Sequence, residues 1–265
     1  MRPYFLLLLA GLVAPVALSG CTTPISEEEA SLTNSMVRQI QPQTRAARDA
    51  IEQQDVLTRS AFWAAEYENN PADREAALKL ARLVRTIGNP GRAATIGSQS
   101  LALFPNDRDL LLITAQSLIE DGNATNAISF LQSALKQDPL DVAVLSALGV
   151  AYDQSDRHEL AMQTFNKALA LSPDNSKLLS NIGLSYALQG DPVTAEAWLL
   201  RATAQPDADA RVRQNLALVL GLQGRFIEAE AMASKDMPNG IAKENINYVK
   251  SMITRPQAWE ALRGD

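Results

Sequence analysis

The chain has 265 residues, of which 46% are hydrophobic, 20% are charged and only 5% are aromatic, and its formal net charge is -6. Alanine and leucine, both strong helix formers, dominate the hydrophobic fraction, so the composition favours an all-α fold. No basic stripe stands out in the sequence, which argues against nucleic acid as a partner.

The first twenty residues have the layout of a secretory signal peptide. Arg2 precedes the apolar run YFLLLLAGLVAPVAL, which is followed by the small residues Ser19 and Gly20. A positive charge, an apolar core and small residues in this order are typical of a cleaved leader. The run is shorter than the about 20 apolar residues that a spanning helix needs, and Pro15 disfavours a continuous helix. We therefore predict a leader over residues 1–20.

Cys21 is the only cysteine and comes directly after this leader. Leu18-Ser19-Gly20-Cys21 resembles the lipobox of bacterial lipoproteins. The resemblance implies that the thiol of Cys21 is joined to diacylglycerol, that the leader is cut before it, and that the new amine is acylated. Thr22, where aspartate would retain such a protein in the inner membrane, implies an outer-membrane anchor facing the periplasm. A plain cleaved signal and an uncleaved anchor are the alternatives.

From residue 60 onward the sequence repeats with one fixed period. Three sets of residues share it: Pro71, Pro105, Pro139 and Pro173, with Pro206 one position short of the period; Gly88, Gly122, Asp156, Gly190 and Gly224; and Ala93, Ala127, Ala161, Ala195 and Ala229. Proline ends a second helix, glycine or aspartate suits a left-handed turn, and alanine suits a close helix crossing. The period, about 34 residues, is typical of the tetratricopeptide repeat, a helix-turn-helix unit.

These positions predict a tetratricopeptide-repeat solenoid, a right-handed superhelix of helix-turn-helix units. The predicted organisation is a signal peptide over residues 1–20, lipidated Cys21 with a flexible polar tether over 21–35, a degenerate leading helical unit over 36–73, about five repeats over 74–235, and capping helices over 236–265. The amphipathic segment 241–253 is the expected closing helix, because the last unit of a solenoid would otherwise expose its apolar face.

The sequence carries none of the common catalytic or metal-binding motifs. There is no glycine-rich phosphate loop, no GxSxG, no HExxH and no paired cysteine spacing. His158 is the only histidine and is expected to be an exposed residue at a helix start. We therefore predict a protein that is not an enzyme and that uses no cofactor, no metal and no small-molecule substrate.

The inner face of the solenoid is the predicted binding surface, because first helices line the concave face of such arrays. In the fourth and fifth units the predicted groove positions form pairs one repeat period apart: Lys177 and Arg211, Asn181 and Asn215, Leu184 and Leu218, and Leu188 and Leu222. A repeated asparagine can hydrogen-bond the backbone of an extended peptide, and the leucines would add an apolar floor. Solvated asparagines and leucines packed on the next unit are the alternative.

The chain resembles the TadD-type lipoproteins of tight adherence (Flp) pilus systems. The stretches that carry the resemblance are AFWAAEYENNPADREAALKLARLVRTIGNPGRAA, ARVRQNLALVLGLQGRFIEAEAMASKDMP and NINYVKSM. The resemblance implies a non-catalytic factor that binds secretin or other pilus-assembly or secretion components, with a pilotin-like role toward the secretin. A periplasmic scaffold or adaptor that recruits peptidoglycan enzymes or proteases is the alternative.

Overall fold

The computed structural model describes residues 44–254, and the predicted leader, Cys21, the tether and residues 255–265 lie outside the described residues. The described residues form thirteen α-helices and no strand: α1 (Arg45–Ile51), α2 (Val56–Asn69), α3 (Arg74–Thr86), α4 (Pro90–Leu101), α5 (Arg108–Glu120), α6 (Ala124–Leu135), α7 (Val142–Asp153), α8 (His158–Leu171), α9 (Ser176–Leu188), α10 (Pro192–Thr203), α11 (Ala210–Leu222), α12 (Phe226–Ala233) and α13 (Asn239–Thr254). The predicted all-α fold is confirmed.

Ten of these helices form five consecutive two-helix units. Unit 1 is α3–α4, unit 2 is α5–α6, unit 3 is α7–α8, unit 4 is α9–α10 and unit 5 is α11–α12; α1 and α2 precede them and α13 follows. Each first helix packs on its own second helix, on the second helix before it and on the first helices of the adjacent units. The apolar core therefore runs along the array, as a solenoid requires.

Local chemistry sets the start of every first helix. The five first helices begin at the same position of successive repeats, and each follows an N-cap residue whose side chain accepts a backbone N–H of the first turn: Asp73, Asp107, Asp141, Asn175 and Asp209. A cap of this kind stabilises a helix by typically about 1 kcal/mol. The repeat is thus fixed by capping as well as by packing.

The turn between the two helices of each unit contains one residue with a left-handed backbone. The φ angles are 88° at Gly88, 78° at Gly122, 57° at Asp156, 83° at Gly190 and 78° at Gly224. Glycine adopts this region without steric cost, and aspartate tolerates it better than most residues. The sequence prediction for these positions is confirmed, including the replacement of glycine by aspartate in unit 3.

The two helices of a unit cross closely around small residues. The five alanines of the repeat are fully buried, as the spacing predicted. In unit 3 the approach is closest at Gly149 of α7, where an added Cβ would lie 2.4 Å from a ring carbon of Phe165 of α8. Only glycine therefore admits the Phe165 ring, which is itself fully buried.

An ion network fastens the short helix α1 to the start of the array. The Arg48 guanidinium donates to Glu66 of α2 at 2.5 Å, to the N-cap carboxylate Asp73 at 2.5 Å and to Glu75 of α3 at 3.0 Å. It also lies 5.3 Å from the ring centre of the buried Trp63. Burial would raise the pKa of Asp73, but the hydrogen bond from Arg48 holds that pKa below its usual range. Charge pairing therefore helps to attach this helix, in which Ile51 packs partly buried against the core and no residue is fully buried.

The last helix closes the array. α13 packs on α11 and α12 through the buried residues Ala242, Ile246 and Val249, whose spacing places them on one face of the helix. The predicted closing helix is therefore present, but its buried face differs in one respect from the expectation, because Ile241 is half exposed. Ala242, one position later, is buried in its place, whereas Ile246 and Val249 are buried as predicted.

Candidate functional site

A cavity of about 840 Å³ opens on the side of the array that carries the first helices. Every residue that lines it lies in a first helix or caps one, and all five units contribute. The lining comes from the carboxyl ends of α3 and α5, from much of α7, and from the amino ends of α9 and α11. The cavity thus crosses the first helices obliquely, because successive units are rotated relative to one another.

The structure brings four of the eight predicted groove residues to this cavity. Lys177 and Asn181 of α9 and Arg211 and Asn215 of α11 line it. Whether they bind a partner stays a prediction, but their common location agrees with it.

The four predicted leucines lie elsewhere, and an apolar floor made by them is not part of this cavity. Leu184, Leu188, Leu218 and Leu222 occupy the carboxyl halves of α9 and α11, whereas the cavity reaches only the amino halves. The oblique course of the cavity is the physical reason. Its apolar lining is instead supplied by side chains from α5, α7 and α11: Ile119, Val142, Ala143, Ala147, Val150 and Val212.

The asparagines form a ladder between neighbouring units. The Asn181 amide nitrogen donates to the Ser146 hydroxyl at 3.0 Å, and the Asn215 amide nitrogen donates to the Ser180 hydroxyl at 2.9 Å. Each bond ties a first helix to the first helix before it. The bond uses one amide N–H and leaves the side-chain oxygen able to accept an N–H from a bound backbone.

The two serines of this ladder are not among the groove residues predicted from the sequence. Ser146 and Ser180 occupy the same position in successive repeats and both line the cavity, so the repeat period itself is the signal that finds them.

Charged side chains of both signs line the cavity. Glu120 at the end of α5 accepts from Arg85 of α3 at 2.8 and 3.0 Å and from Arg211 of α11 at 3.2 Å. Burial alone would raise the pKa of Glu120, but the hydrogen bond and charge of Arg85, followed by those of Arg211, hold the pKa below its usual range. Lys177 lies 3.8 Å from Asp209. The cavity therefore presents ionised groups that are paired with one another.

The cavity offers hydrogen bonds, charges and apolar surface, a combination that can bind a polypeptide. His158 is the first residue of α8, outside the lining, and its Nδ1 lies 2.8 Å from the buried carboxylate of Asp153. The histidine expected to be simply exposed at a helix start is therefore partly exposed and paired. Among residues 44–254, no cluster of three or more metal-ligating side chains is found.

Within the same range, no helix combines the length and apolar character needed to cross a membrane.

Comparison with known sequences agrees with this geometry. Sequence models of the tetratricopeptide repeat match residues 114–176, 179–201 and 210–235. These residues form tetratricopeptide repeats. They supply most of α5 and the helices α6 to α12, and hence most of the first helices that line the cavity. The tetratricopeptide fold is typically a non-catalytic scaffold for protein interactions.

One curated relative and two solved structures illustrate the similarity. Cellulose synthase operon protein C of Komagataeibacter xylinus is 29% identical over 154 residues, which are 54% of this chain but 12% of that protein. A thermophilic tetratricopeptide-repeat protein of Thermus thermophilus is 23% identical, with a TM-score of 0.58 over 68% of this chain and 99% of its own. A tetratricopeptide-repeat protein of Parabacteroides merdae is 17% identical, with a TM-score of 0.56 over 82% of this chain and 88% of its own. At these identities the solved structures show the fold alone.

Proposed function

We propose that this chain is a non-catalytic outer-membrane lipoprotein that binds an extended segment of a partner protein in the first-helix cavity. The observation that carries the proposal is the Asn181–Ser146 and Asn215–Ser180 ladder, set beside apolar and charged side chains in one cavity. Amide oxygens at repeat spacing can receive the backbone N–H groups of a polypeptide whatever its sequence. The side chains around them then select among sequences.

The cellular role that we propose is assistance to assembly of, or secretion by, a tight adherence (Flp) pilus, with a pilotin-like action on the secretin. The resemblance of the regions around α2–α4 and α11–α13 to TadD-type lipoproteins supports it. A lipid at Cys21 would confine the cavity to the membrane surface and raise its effective concentration near a partner there. The anchor, the tether and the cavity then act as one device.

A second candidate is a partner-binding role in a cellulose synthase apparatus. The relative from Komagataeibacter xylinus is named for a cellulose synthase operon and matches 54% of this chain. The same repeat surface would serve either role, so the two candidates differ in the partner and not in the mechanism. A general envelope adaptor that recruits peptidoglycan enzymes or proteases is the remaining alternative.

The anchor is tested by replacing Cys21 with serine in the full chain and fractionating the envelope. We expect the wild-type protein in the outer-membrane fraction and the Cys21→Ser variant in the soluble periplasm or as an uncleaved precursor. Outer-membrane recovery of the variant equal to that of wild type would refute lipid anchoring. Thr22→Ser is the matched control, since it leaves the cysteine in place and introduces no aspartate.

The role is tested on the same preparations by purifying the tagged wild-type protein from the native envelope and identifying what is bound by mass spectrometry. Secretin or pilus components as the enriched proteins would support the pilus role. Cellulose synthase components would support the second candidate, and peptidoglycan enzymes or proteases would support the adaptor.

A further inference from the structure

One ion pair in the cavity joins units that are not neighbours. The Arg211 guanidinium of unit 5 donates to the Glu120 carboxylate of unit 2 at 3.2 Å, across 91 residues of sequence. Two complete units lie between them, and Ser146 and Asn181 from those units line the same cavity. The packing of one first helix on another otherwise involves adjacent units. The pair therefore spans the cavity from one side to the other.

We infer that this Arg211–Glu120 pair is a clasp that holds the cavity in a closed form, and that the cavity widens when the pair breaks. The inference rests on the proposed function, because it describes access to the surface proposed to bind the partner. A polypeptide backbone that enters along the ladder of Asn181 and Asn215 has to pass the point that the clasp spans.

Arg211 is the exposed end of the clasp, and Glu120 is the more buried end. The Arg211 side chain is 71% exposed and the Glu120 side chain 31%. Exposed pairs of this kind contribute little stability and are weakened by salt. When Arg211 leaves, Glu120 keeps the two hydrogen bonds from Arg85. Opening therefore leaves no carboxylate without a cation, and the inference requires that the closed and open forms be close enough in free energy for a weak pair to decide between them.

The array also has a suitable place to flex between the two ends of the clasp. Arg74 pairs with the cap residue Asp107, and Arg108 pairs with the cap residue Asp141 at 2.6 Å, so ion pairs join α3 to α5 and α5 to α7. At the next junction the equivalent positions are Val142 and Asn175, which cannot form an ion pair. There the neutral bond between Asn181 and Ser146 joins α7 to α9.

The test is a distance measurement by pulsed electron paramagnetic resonance in the absence of any partner. Spin labels are placed on the exposed positions 126 of unit 2 and 214 of unit 5 through Asn126→Cys and Gln214→Cys. The full chain carries Cys21→Ser so that only the introduced thiols react. A reference pair at Asn126→Cys and Gln163→Cys lies in the adjacent units 2 and 3.

We expect the mean distance between units 2 and 5 to lengthen by roughly 5 Å, half an interhelical spacing, when salt is raised from about 0.05 M to about 0.5 M. Arg211→Gln and Glu120→Gln should show the longer distance already at low salt and respond no further. The control Lys177→Gln removes another exposed cation of the cavity. The distance between units 2 and 5 in this variant should respond to salt as it does in wild type. The reference pair should not move.

The inference would be overturned if the wild-type distance did not change with salt and both clasp variants had the wild-type distance. Arg211→Gln decides the case if Glu120→Gln disturbs folding, because Arg211 is largely exposed and circular dichroism can verify its helix content. Since no partner is present, failure of the clasp leaves partner binding in the cavity untouched, and failure of partner binding leaves the distance result standing.

Discussion

Replacing Phe165 by alanine should lower the free energy of unfolding by about 3–5 kcal/mol, the usual cost of truncating a buried phenylalanine. The ring is fully buried between α7 and α8 and fills the space over Gly149. Neighbours cannot collapse into the gap easily, because the partner surface there is backbone and the adjacent Ala161 and Ala168 are already fully buried. The loss thus includes a cavity as well as the removed apolar contacts.

Equilibrium urea unfolding followed by circular dichroism measures this change, with Leu160→Ala as the matched control. Leu160 lies on the same helix but is 43% exposed, so its replacement should shift the stability by about 0.5 kcal/mol or less. Equal losses in the two variants would contradict the packing described for unit 3. Because solenoids can unfold unit by unit, the comparison should use the first transition of each curve.

Replacing Arg48 by methionine should have the second large effect. We expect it to lower the free energy of unfolding by about 3–5 kcal/mol, which is typical when one partner of a largely buried ion pair is removed. The exposed fractions of the paired side chains are 11% for Arg48, 3% for Glu66 and 14% for Asp73. Methionine keeps much of the volume over Trp63 but leaves these carboxylates without the arginine. The loss should appear as detachment of α1, measured by faster amide exchange in α1 and at the start of α3.

The control for this variant is Arg45→Met. Arg45 is 72% exposed and pairs with Asp49 and Glu75, so its replacement should change the free energy of unfolding little.

The pH dependence of stability supplies a further check. The pKa of folded Asp73 lies below its ordinary 3.8, so its contribution is present above that pH and is lost as pH falls through the lower folded pKa. The stability gap between wild type and Arg48→Met should therefore narrow below about pH 4, and a gap that widened in acid would contradict the network.

The fold was predictable because its signals are local and periodic. Gly88 and its equivalents mark left-handed turns, Ala161 and its equivalents mark helix crossings, and each signal recurs five times. The N-cap residues such as Asp107 carry the same period and could have been found in the same way. The attachment of α1 through Arg48 could not, because it joins residues 18 to 27 positions apart with no repeated counterpart.

The site was predictable only in part, for a geometric reason. The period indicated which face of α9 and α11 points inward, and Asn181 and Asn215 do line the cavity. It gave no information on the angle at which the cavity crosses the helices, so Leu188 and Leu222 were grouped with them. The Glu120–Arg211 contact depends on the rotation accumulated over the three junctions from unit 2 to unit 5, which no local pattern encodes.

Site-specific photo-crosslinking tests most directly whether the first-helix cavity is the binding surface. A benzophenone amino acid replaces Val150, which lines the cavity on α7, or Leu160, which is exposed on the second helix α8 and lies outside it. After irradiation of cells that make the full chain, we expect a discrete protein adduct from position 150 and none from position 160. Adducts from position 160 with none from position 150 would show that partners bind a different face of the array.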